Sequence, residues 1–108
     1  MDFSFETESI RDACETREKA LVMLGIAAGP ELHRRLADME AVENVAEFTG
    51  LFPSLVVDRS PSERALVFAE GYSLIFRSGH LQTPTLDGGA TDWERVSRVR
   101  LMAIEVVD

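Results

Sequence analysis

The residues in this chain best suited to chemistry are arginines, because the familiar catalytic signatures are missing. There is no GxxxxGKS/T phosphate loop, no GxGxxG and no GxSxG, and cysteine and histidine never fall at metal-ligand spacing. Cys14 lies in a helical apolar stripe and reads as packing, since buried thiols are inert. His33 is expected to face solvent on its helix, whereas His80 opens a long loop, a more functional position although a lone loop histidine is usually bland. Trp93 is expected to anchor that loop by burying its ring. Arg64 and Arg77 stand at opposed positions of an expected hairpin, and Arg98 and Arg100 share one face of the last expected strand. If that strand neighbours the hairpin, these four arginines converge on one sheet face. Arginine's planar fork matches phosphate oxygens, so such a face reads as a phosphate or RNA surface. The other reading is a salt-bridged surface using Glu63, Asp92, Glu94 and Glu105.

The elements that would position these groups change character halfway along the chain. Asp2–Glu6 alternates polar and apolar, the period of a short strand. Ser9 is placed to cap a helix whose stripe runs Ile10, Cys14, Arg17, Leu21 and Leu24 and ends at Gly25. Gly29–Pro30 is expected to open a second helix with Leu32, Leu36 and Met39 buried, and residues 41–48 add a short helical turn. After Gly50 the period becomes two. A strand is expected over 54–58, then a hairpin of 64–69 and 72–77 around Glu70–Gly71. The expected register pairs Ala69 with Tyr72, Val67 with Leu74 and Ala65 with Phe76 on the face covered by helices. It leaves Phe68, Leu66 and Arg64 on the open face. A long loop over 78–96 leads to a final strand over 97–107, apolar enough to lie inside the sheet.

These elements describe one α+β domain over residues 1–108, with N-terminal helices packed on a small antiparallel sheet with a mixed edge. The composition is ordinary for a globular protein, 45% hydrophobic and 28% charged. A single cysteine, a polar N-terminus and no long apolar run give the expectation of a cytoplasmic protein without a leader or membrane segment. The net charge is −8, and it is uneven: residues 1–50 carry five basic and eleven acidic side chains, residues 51–108 six and eight. Proteins that live by nucleic-acid binding alone are normally basic, so any such role must rest on a local arginine patch.

Several segments, taken in order, resemble a known family. Gly71-Tyr72-Ser73-Leu74-Ile75-Phe76, Asp87-Gly88-Gly89, Asp92-Trp93 and the final strand are similar to the C-terminal half of HigB-like, or plasmid maintenance killer, toxins of the RelE/ParE superfamily. The family patterns are a G-Y-R-L-I-F strand, a D-G-G-x-D-W loop and a last strand ending E-I-x-D-Y-H. Ile10–Cys14 and Leu32–Ala41 agree with the first half. The resemblance implies a RelE-like fold, mRNA cleavage in the ribosome without a metal or other cofactor, and control by a helix-turn-helix antitoxin in a bacterial toxin–antitoxin pair. Placed on this chain, it assigns catalysis to Arg64, Arg77 and Arg100, and RNA or phosphate contact to Arg59, Arg98, Tyr72 and His80. Of the family's L-K-G-D-R-x-G stretch only Asp58 and Arg59 remain, Ser73 stands at the arginine of G-Y-R-L-I-F, and the family pattern carries a tyrosine and histidine after Asp108. These departures keep open a second implication, a non-catalytic RelE-fold module that binds an antitoxin or another protein.

Overall fold

The computed structural model describes Met1–Val107, and its elements follow local chemistry closely. After β1 (Asp2–Phe5), the Thr7 hydroxyl accepts the Ile10 amide at 3.1 Å and so starts α1 (Glu8–Glu15), two residues earlier than a Ser9 cap would. Thr16 is extended and breaks the expected continuous helix, and α2 (Arg17–Ala41) begins immediately after it. Gly25 interrupts α2 with φ 89° and ψ 174°, a backbone region open to glycine alone. The chain doubles back at this point. A Cβ on Gly29 would lie 3.1 Å from the Ala20 carbonyl, and the His33 Nε2–H donates to the Ala13 carbonyl at 2.8 Å. His33 is therefore tied across the helical hairpin and not free on its outer side. Pro30 sits inside the second half of α2 and does not open it.

Asn44 caps α3 (Val45–Leu51) by accepting the Glu47 amide at 2.8 Å. Four strands follow: β2 (Val56–Ser60), β3 (Glu63–Ala69), β4 (Tyr72–Ser78) and β5 (Arg98–Val106). They form one five-stranded sheet in the order β1-β5-β4-β3-β2. β1 runs parallel to β5 and every other neighbouring pair is antiparallel. The helices cover one face, where Leu32, Met39 and Phe48 meet Leu66, Leu74 and Phe76 in a fully buried core. Among the described residues no helix is long and apolar enough to cross a membrane.

The hairpin turns at Glu70–Gly71, where Gly71 takes φ 79°, and Ala69 pairs with Tyr72 as expected. The register then slips by one residue at a bulge between Val67 and Ala69. Val67 faces Ser73, Leu66 faces Leu74, Ala65 faces Ile75, Arg64 faces Phe76 and Glu63 faces Arg77. The expected Arg64–Arg77 opposition is thus corrected, as are the Val67–Leu74 and Ala65–Phe76 pairs. The driving force is plain: the bulge turns Leu66 and Phe68 into the core, and these bury far more apolar surface than Ala65 and Val67 would. Tyr72, Leu74 and Phe76 face the helices as read from the sequence. Arg64 is carried inward with Leu66.

Candidate functional site: the open face of the sheet

The open face collects arginines because three strands place them in register. Arg77 on β4 lies directly opposite Arg100 on β5, with Glu63 on its other side and Ser4 of β1 beyond Arg100. Arg98, two residues before Arg100, shares its face. Two like charges directly opposed across a strand pair repel unless an anion lies between or beside them. Arg100 meets one such anion, donating from Nε to Glu6 Oε2 at 2.7 Å. Arg98 lies 3.8 Å from Asp2. Among the described residues, Arg77 has no carboxylate within 4.0 Å, and its one side-chain contact is the Ser62 hydroxyl at 3.5 Å.

Arg59 reaches the same face from the sheet edge. It sits at a bulge of β2 between Asp58 and Ser60 and grips Glu105 of β5 with both head-group nitrogens, at 2.7 and 3.3 Å. β3 and β4 lie between these strands, so the Arg59–Glu105 pair spans the open face. Ala65 and Ile75 on this face are buried although they lie on the side away from the helices. The Arg59 hydrogen bond holds the Glu105 carboxyl below the ordinary carboxylate range, and Glu105 raises the Arg59 guanidinium in turn.

Three sequence-assigned residues are placed elsewhere. Arg64 points to the helix side, where Nε donates to Asp58 at 2.8 Å and Nη1 to the Thr49 hydroxyl at 3.1 Å, with its head group 4.8 Å from the Trp93 ring centre. Tyr72 also faces the helices, its hydroxyl donating to the Leu24 carbonyl at 3.4 Å beside the Phe68 ring. His80 Nε2 accepts the Ser97 amide at 2.9 Å, which fixes the ring proton on Nδ1 and ties together the two ends of the loop. The face therefore unites Arg59, Arg77, Arg98 and Arg100, and leaves Arg64, Tyr72 and His80 in structural roles. Asp2 and Glu6 were missed in the sequence because no local signal announces that β1 pairs with β5, more than ninety residues away. Glu105 was available as a carboxylate, but its crossing to Arg59 depends on two bulges.

Cys14 is half-buried beside Phe3 and Phe5 and packs against the core. Burial, and then the neighbouring Glu15 charge, push its thiol up to about 12. Iodoacetamide is expected to leave Cys14 unmodified at pH 7.5 in the native protein and to label it rapidly in urea; fast native labelling would contradict this placement. The linkage has a definite sign. The folded thiol keeps its proton where the unfolded one, near 9.0, loses it, so stability falls as pH rises from about 9 toward 12. Among the described residues no group of three or more His, Cys, Asp or Glu side chains is placed to hold a metal ion.

Over the described residues the architecture is that of an α+β protein with three helices on one face of a five-stranded mixed sheet and an arginine-bearing open face. Comparison with family models, with curated proteins and with solved structures finds no match to the chain.

Proposed function

We propose that this chain is a HigB-like protein of the RelE/ParE superfamily that engages ribosome-bound mRNA through Arg59, Arg77, Arg98 and Arg100. The observation that carries the reading is the direct opposition of Arg77 and Arg100 on an uncovered sheet face, an arrangement that a bridging phosphate relieves. Helices packed on one face of a small, largely antiparallel sheet are also what the resemblance implies. In cleavage, the RNA 2′-oxygen bonds to the adjacent phosphorus and the 5′-oxygen departs. Arg77 and Arg100 stabilise the charge that develops on the phosphate. The carboxylates Glu6 and Glu105 on this face are engaged with Arg100 and Arg59, so the 2′-hydroxyl proton passes to solvent or to a group of the RNA or ribosome, the departing 5′-oxygen takes a proton from the same sources, and the reaction is slow away from the ribosome.

A second reading, a non-catalytic binding module of the same fold, draws support from one observation. Three of the four open-face arginines are paired with the chain's own carboxylates, in a protein of net charge −8. Regulated expression in a bacterial host separates the two. The ribonuclease reading expects growth arrest with fragmented mRNA, both removed by R77A/R100A. Normal growth and intact mRNA at high expression would eliminate ribonuclease action and leave the binding module standing.

A further inference from the structure

The open face carries two carboxylate–arginine pairs whose geometry is hard to explain as edge decoration. Glu105 grips Arg59 with both oxygens, the fork-to-fork contact that a phosphate also makes. To do so it draws an edge-strand arginine across two intervening strands, placing its head group over the interior of the sheet. Glu6, just beyond the end of β1, takes the Nε of Arg100 at 2.7 Å, next to Arg77, which has no carboxylate partner among the described residues. Glu105 lies opposite Ser73, and Arg100 lies opposite Arg77, four residues further along β4. At ~3.3 Å per residue the two pairs are roughly 13 Å apart, within one short stretch of single-stranded RNA.

Building on the RNA-binding reading above, we infer that the open face holds two anion seats, one at Arg59 and one at Arg77 and Arg100, each kept occupied by a carboxylate of this chain. Glu105 and Glu6 are internal stand-ins for backbone phosphates, and RNA binds by displacing them. Pairs this exposed contribute little to stability, so a multivalent polyanion competes with them effectively. The stand-ins also hold the arginine heads where a phosphate would want them, so the face is pre-shaped but masked. Weak binding of isolated RNA follows directly, because a phosphate entering either seat must displace a carboxylate into water beside it.

The test compares E6Q/E105Q with E18Q/E43Q. The second pair removes the same two charges from exposed positions on the helical side, which separates local unmasking from a change in net charge. Binding of a uniform single-stranded RNA oligonucleotide is measured by fluorescence anisotropy across a salt series. E6Q/E105Q is expected to bind about tenfold tighter than the wild type, with a slope of log K against log salt steeper by about 1.4, while E18Q/E43Q stays within about twofold. Equal affinities for the two variants, or no measurable binding by E6Q/E105Q, overturn the inference. The outcome is separable from the ribonuclease reading. Tighter binding by E6Q/E105Q with mRNA left intact in cells keeps the seats and removes the catalysis. Cleaved mRNA with equal affinities does the reverse.

Discussion

Replacing Arg64 with alanine is expected to lower stability by about 3 kcal/mol and the melting temperature by roughly 12–24 °C. The side chain is largely buried, at 17% exposure, and ties three elements together. Its bond to Asp58 is charged at both ends, but Asp58 is 74% exposed and recovers water when freed, so this pair contributes toward the low end of the range for such bonds. The Thr49 contact anchors α3 to β3, and the stacking on Trp93 is the better-desolvated interaction, worth about 1–2 kcal/mol. Loss of the aliphatic stem adds a packing defect above the Trp93 ring. Lysine keeps the charge without the fork, so Arg64→Lys is expected to recover only part of the loss. Thermal melts followed by circular dichroism read all three proteins. A melting temperature unchanged in Arg64→Ala would mean that the residue is not part of the scaffold.

Trp93→Ala is expected to cost still more, about 4 kcal/mol, in line with removal of large buried aromatics. The ring is 9% exposed, stands edge-on to Phe76 at 5.9 Å and supports Arg64 from beneath. It is also what holds the long connection between β4 and β5. Asp92 accepts the Glu94 amide to shape a 3-10 turn over Trp93–Arg95, the Thr91 amide donates to Pro61, and the Val96 carbonyl accepts the Val45 amide. Without the indole these bonds remain but their common anchor is gone, so the connection becomes sensitive to limited proteolysis. Because Arg64 and Trp93 touch, their effects must couple. The double variant is expected to be destabilised by about 1 kcal/mol less than the sum of the single variants, measured by urea unfolding of the four proteins. Strict additivity would show that the stacked contact stores no energy.

Much of the scaffold was legible because it is written in local signals. The switch from helical to strand period after Gly50, the Glu70–Gly71 turn, the helix break at Gly25 and the anchoring role of Trp93 all follow from neighbouring residues. The open-face placement of Arg77, Arg98 and Arg100 was legible too, since strand alternation fixes it once β4 and β5 are neighbours. Arg64 was misplaced by one residue of register. Alternation alone cannot foresee the bulge at Phe68, whose cause is a comparison between two core packings, not a local preference. His33 was misread because its partner, the Ala13 carbonyl, is a helix-end group exposed only by the break at Thr16. The carboxylates that mask the arginines were hardest to see. Two of the three come from the N-terminal segment, and only a long-range parallel pairing brings that segment to the face.

These two groups of arginines separate cleanly in what they are expected to do. Arg64 holds the fold together from the inside. Arg77 and Arg100 contribute little to it from the outside, so R77A/R100A is expected to melt close to the wild type while losing ligand.

The most direct test of the central claim, that the open arginine face contacts RNA phosphates, is the salt dependence of single-stranded RNA binding by the wild type and by R77A/R100A. Losing two phosphate contacts should reduce the slope of log K against log salt by about 1.4 and weaken binding at every salt concentration. A slope and affinity unchanged in R77A/R100A would place the nucleic acid elsewhere on the molecule and contradict the account.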